Sequence, residues 1–221
     1  MAGGKRKRVR QGELDFRPHG GKRAGAGRNP KGEKAGESHL KRAQLASRFP
    51  VHVTVKMGEG LPGMRGPKTR GVLRGCFAKG RERFGFRLVH YSVQHNHLHL
   101  LVEGRDRQAI SRGMQGLLIR IAKALNKVWG RKGKVFPDRY HDRILRTPRE
   151  VKNAVRYVLK NAQHHGMVFK DRPDPHTSGA WFDGWRGNSG PFEPSPSPVA
   201  KAHTWLMKVG WRRHGLLALN E

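Results

Sequence analysis

The clearest hydrophobic pattern in this chain lies at residues 96–103, where two histidines flank one leucine and an apolar run follows. Successive side chains of an extended strand point to opposite faces. The pattern therefore predicts a strand whose Leu98 and Leu100 face a core, while His97 and His99 face the other side. Two neighbouring imidazoles on one face are a common start for a divalent-metal site.

Apolar positions along the rest of the chain predict an alternation of strands and helices. Strands are expected at 51–55, 86–93 and 97–103, with a further extended segment within 135–145. Helices are expected at 72–84, 107–129 and 147–166. This order predicts an α+β, ferredoxin-like (RRM-type) antiparallel sheet, with helices on one face and the other face partly open.

The last of these helices has well-defined predicted ends. Thr147 is a suitable N-cap, and Glu150 three residues later completes a capping box. Gly166 is the expected C-cap. Tyr157 and Asn161 are four residues apart, so they share a helix face on one flank of the apolar stripe, where they can meet a site on the sheet.

Composition divides the chain into three expected parts. Residues 1–45 are rich in Gly, Lys and Arg and predict a disordered basic arm, in which Lys22, Arg23 and Arg28 could follow a nucleic-acid groove. The alternative is a tail that only improves solubility. A catalytic domain is expected at 46–168, followed by a Trp- and Pro-rich C-terminal extension at 169–221.

The charge of the chain restricts its partners. There are 46 Lys and Arg residues against 16 Asp and Glu residues, which gives a net charge of +30 and favours a polyanion, nucleic acid before a membrane surface. No apolar run is long enough to span a bilayer, and no secretory signal is visible. The single Cys76 excludes an intrachain disulfide and a thiolate zinc site. We therefore expect a cytoplasmic, nucleoid-associated protein without a membrane partner.

These residues suggest metal-assisted cleavage of a phosphodiester. A cation held by His97 and His99 could polarise a phosphate oxygen, and the amide oxygen of Asn161 is a candidate third ligand. Tyr157 could then attack phosphorus and form a covalent phosphotyrosine. Tyr140 is the rival nucleophile, although no candidate ligand lies at helical spacing from it.

The chain resembles the single-tyrosine HUH transposases, especially the REP-associated tyrosine transposases. The resemblance covers roughly residues 49–166, and its motifs lie at 96–101, 139–142 and 157–161. It implies a ferredoxin-like fold, Mg²⁺ or Mn²⁺, cleavage of single-stranded DNA beside hairpins, and a 5′-phosphotyrosine intermediate. By position it makes His97 and His99 metal ligands, Tyr157 the nucleophile and Asn161 the third ligand.

Two motifs depart from the pattern of these relatives. Gln94-His95 stands where relatives often have Met-Pro, a change that should not disturb the histidines. Ala162 follows Asn161 where relatives often have proline, which changes the end of the nucleophile helix.

The expected function is a metal-dependent single-stranded DNA endonuclease and strand transferase that acts on single-stranded or hairpin DNA. The alternatives are a non-catalytic DNA- or RNA-binding protein and a domesticated transposase that processes repeat DNA. A homodimer is one expected assembly. Besides the arm, the predicted DNA contacts are Arg139, His141, Arg143 and Lys160.

Overall fold

The computed structural model describes residues 42–164, 166–167, 169, 171–187 and 191–219. The chain divides into two compact units, 1–36 and 37–221, and every described residue belongs to the second. The predicted DNA contacts Lys22, Arg23 and Arg28 lie outside the described residues, as does most of the predicted arm.

A five-stranded sheet forms the centre of the second unit. Its strands are β1 (Val51–Lys56), β2 (Glu82–Arg83), β3 (Phe86–Val93), β4 (His97–Gly104) and β5 (His141–Ile144). The spatial order is β2-β3-β4-β1-β5, and each neighbouring pair is antiparallel. The helices are α1 (Pro67–Gly80), α2 (Arg107–Val128), α3 (Pro148–His164) and the short α4 (Trp205–Lys208), with 3₁₀ turns at Ser178–Trp181 and Gly210–His214.

The two faces of the sheet bury different segments of the chain. Leu98, Leu100 and Val102 of β4 join α1 and α2 in the larger apolar core. Leu101 points to the other face and packs in a second core with α3 and the Trp-rich segment, which buries Trp185 and Trp211. The α+β antiparallel fold predicted from the sequence is confirmed. The second face, expected to be partly open, is instead covered along much of its length.

Both predicted ends of α3 are confirmed. The Glu150 amide donates to Thr147 Oγ1 at 3.2 Å, and the Thr147 amide donates to the Glu150 carboxylate at 3.1 Å, which completes the capping box. Gly166 has a φ of 78°, and its amide donates to the Gln163 carbonyl, while that of Met167 donates to the Ala162 carbonyl. This is a Schellman ending.

The predicted end of the first helix is wrong. α1 ends at Gly80, and residues 82–87 form a tight hairpin between β2 and β3 instead of a last helical turn. Phe84 and Gly85 both have positive φ, 51° and 82°. Two positive φ values in succession match the right-handed twist of hairpin strands, although a phenylalanine is a rare choice for the first position.

Among the described residues, no helix has the length and apolarity needed to cross a membrane.

Candidate active site

The polar residues of β1 and β4 collect on one face of the sheet. Val51, Val53 and Val55 alternate toward the core, so His52 and Thr54 point the other way. The register places Thr54 directly opposite His99. Cross-strand neighbours in an antiparallel pair share a face of the sheet. The Thr54 hydroxyl therefore lies on the same face as the imidazoles of His52 and His99.

His97 and His99 lie side by side, as the strand period predicts. Their ring centroids are 4.8 Å apart and the rings are nearly perpendicular. His97 Nδ1 lies 2.8 Å from Asn96 Oδ1. Because an amide oxygen only accepts, this nitrogen donates the hydrogen, so in the neutral imidazole Nε2 has the free lone pair. His99 Nδ1 lies 3.1 Å from Thr54 Oγ1. Such partners orient the rings of metal-binding histidines.

Tyr157 brings its hydroxyl from α3 to this pair. The hydroxyl oxygen lies 3.4 Å from His99 Nε2, and the two ring centroids are 5.0 Å apart. The side chain remains 40% exposed. A phenol that is both close to the histidines and open to solvent can meet a phosphate from outside.

Asn161 follows one helical turn later and is 1% exposed. Its Oδ1 atom is buried and has no hydrogen-bond partner among the described residues. The great majority of buried polar atoms are paired, so such an exception needs an explanation. A cation ligated by this oxygen would supply one.

The available side chains fit a mixed imidazole and amide site for a cation. Within the described ranges, no three His, Cys, Asp or Glu side chains come together as a metal site. Beside the two histidines, the buried and unpaired amide oxygen of Asn161 is a candidate third ligand from α3. Imidazole suits transition metals and amide oxygen suits harder cations such as Mg²⁺ and Mn²⁺.

His52 is a site residue that sequence reasoning missed. Its ring centroid lies 5.3 Å from that of His99 and 5.9 Å from that of Tyr157. Burial, reinforced by electrostatic interaction with His141 and Arg143, lowers the pKa of His52 to about 4, so the ring is neutral at pH 7. The signal was present in the alternation of Val51, His52, Val53 and Thr54, which gives His52 the polar face of β1.

Tyr140 occupies a different environment from Tyr157. Its hydroxyl is buried and lacks a hydrogen-bond partner in the described part of the chain, and burial raises its pKa. The Arg42 guanidinium lies 3.7 Å over the ring and also pairs with Asp142 at 2.7 Å. Asp142 pairs in turn with Arg107 at 2.6 Å. These contacts make Tyr140 part of a packed anchor for Arg42.

A cavity of about 460 Å³ opens beside Tyr157, between β1, β5 and the first half of α3. Its lining includes His52, Arg143 and Arg156. Arg143 and His141 are exposed on β5, where His141 lies opposite Thr54 in the register. Two guanidinium groups in a cavity beside the phenol are suited to phosphate.

The other two predicted DNA contacts lie elsewhere. Arg139 is half-buried, just before β5. Lys160 is 5% exposed, and its ammonium group donates to the Ala218 carbonyl at 3.1 Å. It thus holds the C-terminal segment against α3, and the predicted DNA contact would require Lys160 to leave this position. Local sequence patterns do not reveal this contact because it joins residues 58 positions apart.

The region that carries these residues matches a known family. Residues 64–161 match the family model described as "Transposase IS200 like", a range that includes His97, His99, Tyr157 and Asn161. No curated protein matches the chain. Among solved structures, one described as a REP-associated tyrosine transposase bound to a REP hairpin aligns with 17% identity and a TM-score of 0.48, over 60% of this chain and 76% of that chain. Over residues 64–161, the family match confirms the predicted resemblance to single-tyrosine transposases.

Proposed function

We propose that this chain, which carries an IS200-like transposase region at residues 64–161, is an enzyme that cleaves and rejoins single-stranded DNA, with Tyr157 as its nucleophile. The observation that carries the proposal is the approach of the Tyr157 hydroxyl to His99 Nε2, at 3.4 Å, on the face of the sheet opposite the larger core. The unpaired oxygen of Asn161, one helical turn away, supports the same assignment.

The proposed step exchanges one phosphate ester for another. The Tyr157 oxygen attacks phosphorus and loses its proton to solvent, while the bond from phosphorus to the 3′ oxygen of the preceding nucleotide breaks. That oxygen takes a proton from solvent and leaves as a 3′ hydroxyl, and the 5′ phosphate stays on the tyrosine. In the joining step a 3′ hydroxyl attacks the phosphotyrosine and releases Tyr157. Because each step forms one phosphate ester bond and breaks another, joining needs no nucleotide cofactor.

His97, His99 and Asn161 would hold the divalent cation that we propose as Mg²⁺ or Mn²⁺. When bound, such an ion supplies positive charge to the non-bridging oxygens of the phosphate. Asn96 and Thr54 contribute by orienting the two imidazoles through their Nδ1 atoms.

The side chains around Tyr157 would position the strand that is cut. Arg143 and Arg156 line the adjoining cavity and can bind the phosphates that flank the scissile one. Arg143 already donates to Glu150 at 3.0 Å, which holds its guanidinium near the start of α3. His52 adds a neutral ring beside the phenol, so it places no competing charge there.

Covalent chemistry tests the proposal. The protein is incubated with hairpin-bearing single-stranded DNA and Mn²⁺, and the products are separated under denaturing conditions. We expect wild type to form a protein–DNA adduct, and His97→Ala and His99→Ala to form none while binding DNA nearly as well, since basic residues supply most of the affinity. A wild-type protein that binds this DNA but gives neither adduct nor cleavage would favour the non-catalytic binder.

A further inference from the structure

A second cavity lies at the opposite end of β4 from the histidines. Its volume is about 450 Å³, and it is enclosed by the β2–β3 turn, the segment before β1, the end of β4 and the start of α4. Glu103, which lines the cavity, points to the same face of β4 as His99. It lies about 13 Å further along the strand, because four residues at about 3.3 Å each separate the two. The cavity is therefore separate from the candidate active site.

Trp205 forms one wall of this cavity and is 48% exposed. Its position is fixed by buried polar contacts. The Glu103 carboxylate accepts the amides of His203 and Thr204, both at 2.8 Å, and the Thr204 hydroxyl caps the first turn of α4. Gly210 makes room for the ring, because a Cβ atom there would lie 2.6 Å from Trp205 Cζ3. The fold thus packs one side of a large aromatic side chain and leaves the other side at the surface.

The charges around Trp205 favour an anionic ligand. Arg48 and Arg105 line the cavity, and the Arg213 guanidinium lies 4.9 Å from the centre of the indole ring. The two carboxylates of the lining are already engaged, Glu82 with Arg87 and Glu103 with the backbone amides. The chain as a whole carries a net charge of +30, so the occupant that complements this surface is a polyanion with flat groups that stack.

The opposite wall carries an unusual turn. Glu82 and Gly85 line the cavity, and Phe84 between them is 81% exposed at a φ of 51°. A residue with a Cβ atom is disfavoured in that backbone region, where glycine, asparagine or aspartate is usual. The Arg83 guanidinium lies 5.4 Å from the ring. An exposed aromatic in a costly conformation, beside a guanidinium, indicates a contact residue and not a packing residue.

We propose that this cavity is a nucleic-acid subsite in which an unpaired base of the DNA stacks on Trp205 while its flanking phosphates contact Arg48 and Arg213. The inference rests on the proposed function in one respect, that the bound strand is the DNA that also reaches Tyr157. Stacking on aromatic side chains with nearby cations is the general mode of single-strand binding. The subsite would hold the strand at a point remote from the bond that is cut.

Binding measurements on ring variants test the subsite. Fluorescence anisotropy is measured with a labelled DNA hairpin that has unpaired flanks. Removal of the ring on which one base stacks weakens binding at least about fivefold, so we expect that loss for Trp205→Ala and near-wild-type affinity for Trp205→Phe, which keeps an aromatic ring. Ile119→Ala is the matched control, because Ile119 is also half-exposed but lies on α2. Equal affinity of Trp205→Ala and wild type would overturn the subsite and leave Trp205 to a protein partner.

Photocrosslinking separates the subsite from the proposed function. DNA that carries 5-iodouracil at single unpaired positions should crosslink to the peptide containing Trp205, in wild type and in Tyr157→Phe alike. A Trp205 crosslink without any adduct would refute the proposed function and keep the subsite. Adduct formation with no crosslink at Trp205 from any unpaired position would refute the subsite and keep the function.

Discussion

Replacement of Asn161 by leucine tests whether the Asn161 side-chain oxygen binds a cation or only stabilises the fold. In the absence of metal, the unpaired buried oxygen costs about 1–3 kcal/mol, and leucine removes this cost while filling a similar volume. Loss of the amide NH₂ group costs about 1 kcal/mol, which offsets part of this gain in stability. We therefore expect Asn161→Leu in EDTA to change the free energy of unfolding by between 0 and about +2 kcal/mol. That change corresponds to a melting temperature up to roughly 6 °C higher for a domain of this size.

Manganese should reverse the order of the two proteins. At a concentration of 100 Kd, a ligand that binds only the folded state stabilises it by about 2.7 kcal/mol. If loss of one ligand weakens binding about 100-fold, the same concentration stabilises the variant by only about 0.4 kcal/mol. Thermal unfolding with and without Mn²⁺ measures both effects. Asn153→Leu is the matched control, because Asn153 is exposed on the same helix and its replacement should leave the Mn²⁺ shift intact.

Two results would refute this reasoning. An undiminished Mn²⁺ shift in Asn161→Leu would show that the oxygen does not bind the cation. A loss of more than about 2 kcal/mol in EDTA would show that the oxygen has a stabilising partner in the folded protein.

Buried groups and the charge of the arm give three further predictions. Burial lowers the pKa of His90 to about 4, whereas the unfolded chain should have a value of about 6.5. The neutral His90 ring therefore contributes fully to stability above pH 6.5, and this contribution is lost as the pH falls toward 4. His90→Gln should therefore lose about 3 kcal/mol less than wild type between pH 7 and pH 4 in urea unfolding, and equal losses would contradict this. Tyr140→Phe should keep the covalent adduct and unfold at the same or a slightly higher temperature, because the hydroxyl it removes is buried without a partner among the described residues; loss of the adduct would make Tyr140 the better nucleophile. Deleting residues 1–41, which keeps the Arg42 anchor, should reduce the slope of log K against log salt by about 0.7 for each phosphate that the arm neutralises on single strands, and an unchanged slope would show that the arm does not touch DNA.

Local signals predicted the parts of the fold that depend on neighbouring residues. The Thr147 and Glu150 capping box and the Gly166 ending specify α3 within a few residues, and the structure has both. The strand period of 97–103 separates the histidines from the leucines, and the two faces are found as expected. In each case the interaction that decides the structure joins residues close in sequence.

Contacts between distant segments escaped the same reasoning. His52 belongs beside His99 only because β1 pairs with β4 in a register that no local pattern specifies. Lys160 resembles a surface cation on its helix, yet a carbonyl near the C-terminus accepts its hydrogen. Phe84 occupies a position of the β2–β3 turn where asparagine or glycine is usual. Because the sequence lacks that turn signal, the predicted helix was extended to residue 84.

Mapping the covalent adduct tests the central proposal most directly. Wild-type protein is trapped on hairpin-bearing single-stranded DNA with Mn²⁺, digested with nuclease and protease, and analysed by mass spectrometry for peptides that carry a nucleotide. We predict a nucleotide on Tyr157, bound through its 5′ phosphate, and no adduct from Tyr157→Phe under the same conditions. A nucleotide on the peptide that contains Tyr140, with none on Tyr157, would contradict the assignment and leave α3 a structural role.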